Sequence, residues 1–135
     1  MKLLLDTHIF LWLQTAPERL GAHLQLVADR RTELLLSAVS SWEIAIKHSI
    51  GRLPLPEPPE RYVPDRMRAI GARPLAIEHS AALAVSSLPP LHRDPFDRLL
   101  VAQARLLDVV ILTADPVVTR YPVQTLLVGE PNTSS

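Results

Sequence analysis

Lys2-Leu3-Leu4-Leu5-Asp6 sets three consecutive leucines before an acid. The pattern returns in Leu34-Leu35-Leu36-Ser37 and in Val109-Val110-Ile111-Leu112-Thr113. Each run is apolar at every position, not at every second one, and each stops at a polar residue. Strands of a parallel sheet read this way, because helices cover both sides of the pleat. Arg73 to Ile77 and Gln124 to Val128 are weaker strand candidates. Between the runs lie helical segments: His8 to Leu13, Pro17 to Arg30, Ser41 to Ile50, Glu60 to Ile70, Glu78 to Ser87 and Pro95 to Leu107. In the last, Phe96, Leu99, Leu100, Gln103 and Leu107 trace one face at helical spacing. Gly51 follows the third as a C-cap. The alternation predicts an α/β fold with a central parallel sheet of four to five strands flanked by helices.

The 135 residues suit one domain, long enough to bury a core without a disulfide or metal staple. We expect that domain over residues 1–128, with 129–135 as a frayed tail. The absence of cysteine excludes thiolate metal sites and cysteine catalysis. Fourteen basic residues balance fourteen acids, so bulk charge gives no attraction to nucleic acid or membrane. Any polyanion must be handled locally. Arginine supplies twelve of the fourteen basic residues, which favours bidentate phosphate contacts. Asp6 interrupts the opening leucines too early for a signal peptide, and no apolar run reaches the roughly 20 residues of a membrane span. The expectation is a cytoplasmic protein with no membrane partner. Pro54, Pro56, Pro58, Pro59 and Pro64 mark an extended connection. Ile9 to Leu13 is apolar all round, which reads as burial, or else as cover by another chain.

In open parallel sheets, ligands bind beyond the carboxyl ends of the strands. This chain places acids there. Asp6 ends the first strand, Glu43 lies one turn into the helix after the second, Asp94 and Asp97 open the long helix, and Asp115 follows the fourth strand. Converging carboxylates suit hard divalent cations such as Mg²⁺ or Mn²⁺. Each acid also has a plain capping role. Asp6, Asp94 and Asp115 sit where N-caps sit, Ser40-Ser41-Trp42-Glu43 reads as a capping box, and Asp97 suits a first helical turn. Crowding separates the readings, because two carboxylates about 4 Å apart repel by about 4 kcal/mol at an effective dielectric near 20. Caps need no such cluster; a cation does. Lys47 stands four residues after Glu43, as an ion pair or a phosphate contact. The five histidines show no metal-binding spacing, so no zinc site is expected. Setting the five acids aside leaves nine against fourteen basic residues.

Four blocks together resemble PIN-domain toxins of the VapC type. They are Met1-Lys2-Leu3-Leu4-Leu5-Asp6-Thr7-His8, Ser37 to Lys47, His92 to Ala104, and Leu112-Thr113-Ala114-Asp115. The resemblance implies a Rossmann-like PIN domain and a metal-dependent endoribonuclease, the toxin of a type II toxin–antitoxin pair. It makes Asp6, Glu43, Asp97 and Asp115 the catalytic, metal-binding acids, with Asp94 an extra acid and Thr113 a supporting hydroxyl. One or two Mg²⁺ or Mn²⁺ ions would be held directly by Asp6 and Asp97, and partly through water by Glu43 and Asp115. Hydrolysis would leave a 5′-phosphate and a 3′-hydroxyl, with Arg93 and Arg98 steering the RNA. The implied partners are a VapB-type antitoxin and a second copy in a homodimer, with DNA reached only through the antitoxin. Residues of the helix His8 to Leu13 and the proline-rich connection are candidate contact surfaces. The alternative reading is a non-catalytic PIN-fold module that binds RNA or protein. A phospho-acceptor receiver fold fits poorly, since Ile77 is followed by Glu78-His79 and the last strand carries no lysine.

Overall fold

The computed structural model describes residues 1–129; residues 130–135, most of the expected tail, lie outside the described residues. Among the described residues, five strands form one parallel sheet: β1 (Lys2–Leu5), β2 (Glu33–Ser37), β3 (Arg73–Leu75), β4 (Val110–Thr113) and β5 (Thr125–Leu127). Their order is β3-β2-β1-β4-β5. The helices are α1 (Thr7–Thr15), α2 (His23–Ala28), α3 (Ala38–Ser49), α4 (Pro59–Ile70), α5 (His79–Ala84) and α6 (Pro95–Leu107). No helix of the described residues is long and apolar enough to cross a membrane.

The leucine runs are explained by two separate cores. Leu3, Leu5, Leu34, Leu36 and Leu112 pack on one face with Ile9 and Phe10 of α1, Ile44 of α3 and Val63 and Met67 of α4. Leu4, Leu35 and Ile111 pack on the other with Leu100, Val101 and Ala104 of α6. Alternate residues of a strand face opposite ways, so a sheet covered on both sides needs apolar side chains throughout. Ile9 and Phe10 are fully buried, and Leu11, Trp12 and Leu13 pack against the same core, so burial accounts for the apolar α1.

The order of the strands positions everything that follows. From β1, the chain moves outward to β2 and β3 on one side, then returns to place β4 and β5 on the other. The carboxyl ends of β1 and β4 therefore flank the point where the crossovers diverge, the place where a crevice opens in such sheets. Leu5 pairs with Leu112, and the Asp6 amide donates to the Leu112 carbonyl at 2.9 Å, so Asp6 and Thr113 leave the sheet side by side.

Several boundaries depart from expectation. The segment Pro17 to Arg30 is not one helix: a 3₁₀ turn over Pro17–Leu20 ends at Gly21, whose φ of +54° breaks the helical path before α2. α3 begins three residues earlier than expected, because Ser37 caps it by accepting from the Val39 amide at 3.0 Å. Pro64 sits inside α4 without ending it. Leu107 of α6 is half exposed, not part of the buried face. Gln103, read as one more face residue, is buried as a polar tie. It accepts from Ser37 Oγ at 2.5 Å and donates to the Ala76 carbonyl at 3.1 Å, joining α6 to the ends of β2 and β3. Gln103→Leu, similar in size but mute, should destabilise the protein by about 1–3 kcal/mol, because it strands the buried Ser37 hydroxyl and unties the Ala76 carbonyl. A lower urea midpoint at unchanged denaturant slope is the readout.

Candidate metal centre

Asp6 emerges from the central strand with its side chain 3% exposed, and Glu43, one turn into α3, is 2% exposed. Asp6 occupies the N-cap position of α1 but makes no side-chain cap hydrogen bond, and Glu43 does not bond back to the backbone. Asp6 Oδ2 instead accepts from Thr113 Oγ1 at 2.6 Å, and Thr113 Oγ1 in turn accepts from the Asp115 amide at 3.0 Å. Thr7 Oγ1 donates to Ser40 Oγ at 2.8 Å, tying the start of α1 to α3. The expected capping box is thus replaced by the Ser37 cap, which leaves Glu43 free of the backbone and paired with Lys47 Nζ at 2.5 Å. That contact draws the Lys47 ammonium pKa upward.

The other two capping readings hold alongside the site. Asp94 caps α6, its Oδ1 accepting from the Phe96 amide at 2.8 Å, with Pro95 in the first turn. Asp115 Oδ1 accepts from the Val117 amide at 2.9 Å. A residue without a role in the sequence reading joins them. His92 Nε2 lies 2.6 Å from Asp115 Oδ2 and 3.1 Å from Asp97 Oδ2. One side-chain atom from each of these three residues falls within 4.8 Å of the others. Histidine spacing could not have revealed this. The available signal was position: His92 stands two residues before a helix cap on the edge where the acids gather.

Two orphaned oxygens test whether a cation fits. Among the described residues, the buried side-chain atoms with no hydrogen-bond partner are Asp6 Oδ1 and Glu43 Oε1. Buried polar atoms rarely go unpaired, and these two carboxylate oxygens belong to the same group of acids. A divalent cation would satisfy both, since they are the hard oxygen donors it prefers. Without one, the acids raise each other's proton affinity. Burial lifts the Asp97 carboxyl to about 8, with Asp6, Asp94, Glu43 and Asp115 adding repulsion. Burial also raises Asp6, and Glu43 adds to this, while the Thr113 hydroxyl and His8 partly offset it.

Arg98 does not serve the acids. Its guanidinium donates to the carbonyls of Val85 (3.0 Å) and Pro89 (3.1 Å), bracing the segment before α6, so the RNA-steering expectation for it gives way to a structural one. Arg93 is exposed.

Because the folded-state pKa of Asp97 lies above the unfolded value of 3.8, the native state holds its proton more tightly. The stability this contributes is complete below pH 3.8 and lost as pH rises through about 8. In chelator-treated protein, melting temperature should therefore fall between pH 5 and pH 8, and Asp97→Asn should flatten the slope. Millimolar Mn²⁺ should raise the melting temperature, since a ligand bound a hundredfold above its Kd adds about 2.7 kcal/mol. Asp6→Asn should abolish that rise.

The PIN domain family model matches residues 3–123. Ribonuclease VapC16 of Mycobacterium tuberculosis is 54% identical over 55 residues, 41% of this chain; the match spans only 39% of that relative's length. A VapBC2 crystal structure from Rickettsia felis, bound to a promoter DNA fragment, superposes with a TM-score of 0.71 at 14% identity, over 95% of this chain and 99% of the other. A DNA-bound VapBC from Salmonella typhimurium gives 0.64 at 17% identity, over 93% and 97%. The solved structures share the fold, and the family-model match across most of its length shows that the chain belongs to the PIN domain family.

Proposed function

We propose that this protein is a metal-dependent endoribonuclease, the toxin of a VapBC-type pair. The observation that carries the reading is the pair of buried, unpartnered oxygens of Asp6 and Glu43 beside Asp97 and Asp115. At Asp6, which makes no side-chain cap bond, and at Glu43, which pairs with Lys47 and not with the backbone, a cation explains the acid better than a cap does. Asp6 and Asp97 would hold Mg²⁺ or Mn²⁺ directly, with Glu43 and Asp115 alongside. When bound, the ion supplies a polarised phosphodiester oxygen and a water of lowered pKa.

The surrounding residues have their own duties. Thr113 fixes one Asp6 oxygen and leaves the other for the cation. Lys47 offsets the charge of Glu43 and stands near Asp94 and Asp97 at the half-open rim, where a phosphate would approach. Exposed Arg93, next to Asp94, is the better placed of the two expected arginines to draw RNA inward. An apolar groove of about 640 Å³ between α3 and α4, lined by Trp42, Ala45, Val63 and Met67, suits an apolar antitoxin segment. Trp42 is 56% exposed there and packs edge-on against Phe96, 5.2 Å between ring centres, on the turn that carries Asp97. The groove supports antitoxin contact at α3 and α4 more than at the buried α1.

Purified protein should cut RNA in Mg²⁺ or Mn²⁺, leaving 5′-phosphate ends. Asp6→Asn and Asp97→Asn should each lower the rate by at least about a hundredfold while circular dichroism stays native. Undiminished cleavage in excess EDTA would overturn the reading. Binding of RNA or protein without cleavage by wild type would favour the non-catalytic module.

A further inference from the structure

The geometry points to His92 as the positioning residue of this centre: it donates one hydrogen bond to two ligand carboxylates and does not itself ligate the cation. The inference rests on the metal-centre reading above and deepens it. Its basis is the ring's other nitrogen. The Asp94 backbone amide donates to His92 Nδ1 at 3.1 Å. A backbone amide has only a proton to offer, so Nδ1 must present its lone pair. A neutral imidazole carries one ring proton, which places it on Nε2. Nε2–H then points at Asp115 Oδ2 (2.6 Å) and Asp97 Oδ2 (3.1 Å). A nitrogen whose lone pair is absent cannot bind a cation, although its distances alone resemble those of a ligand.

The backbone around His92 holds this arrangement rigidly. Its own amide donates to the hydroxyl of buried Tyr121 at 2.8 Å, and Arg98 braces Val85 and Pro89 just before it. Seven consecutive residues thereby set four things: His92 the donor, Asp94 the cap, Asp97 the ligand and Arg98 the brace. Asp115 gains a donor on each oxygen, Val117 N–H on Oδ1 and His92 Nε2–H on Oδ2. Each carboxylate oxygen retains a second lone pair, so the cation meets acids that already face the right way.

Two measurements on the full chain test this. The first is ¹⁵N histidine spectroscopy of wild type with and without Mg²⁺. An unprotonated Nδ1 and a protonated Nε2 in both states are expected. Loss of the Nε2 proton on adding Mg²⁺ would make His92 a ligand and overturn the proposal. The second is calorimetric Mn²⁺ binding. His92→Leu should weaken it about tenfold or more, the usual cost of removing a hydrogen-bond partner of a metal ligand. His92→Gln, whose amide N–H reaches the same place, should recover most of the affinity. Wild-type affinity in a folded His92→Leu would overturn the proposal; if that variant fails to fold, the spectroscopy decides alone. Wild type that binds no Mn²⁺ would sink the metal-centre reading itself, and this proposal with it.

Discussion

Like charge buried at one end of the sheet is the constraint on which the rest of this structure depends. Asp6 and Glu43 are almost wholly enclosed, and Asp97 stands close enough to be repelled by both of them and by Asp94 and Asp115. Proteins tolerate such a cluster only if protons, donors or a cation relieve it. Each device is present in part. Asp97 tends to keep its proton, Thr113 and His92 donate, Lys47 brings a positive charge, and two oxygens are left over. The donors serve Asp6 Oδ2, Asp115 and Asp97, and the gap lies on the inner oxygens of Asp6 and Glu43.

The fold was legible because burial on both sides of a sheet leaves a compositional mark. Leu3-Leu4-Leu5 and its two counterparts announced the three inner strands, while β3 and β5, three residues each at the edges, left weaker traces. Register and strand order were not legible, since pairing depends on contacts far apart in the chain. Helix boundaries failed where one residue decided them. Gly21 split a segment of continuous helical spacing, and Ser37 claimed a cap that a later serine also fitted.

The acids of the site were readable one by one, but their roles were not separable without coordinates. Asp94 and Asp115 do cap or brace a turn, so their alternative reading was sound as far as it went. Asp6 and Glu43 fill no such role, and the distinction lies in hydrogen bonds that sequence cannot show. His92 and Gln103 illustrate the same blindness from the other side. Their partners are 23 and 66 residues away, so neither local pattern nor composition marks them as polar ties. Arg98 was expected to steer RNA because it flanks the acids in sequence; here three backbone and hydroxyl acceptors absorb it.

The bond between Thr113 and Asp6 spans 107 residues of chain. During synthesis, β1 and β2 with α3 exist long before α6 and β4 have been made, so the first two acids wait without the second two. Domains dominated by such distant pairings fold late and slowly. The cluster of acids is therefore complete only when α6 and β4 dock. A truncated or still-growing polypeptide has half a site and no means of completing it.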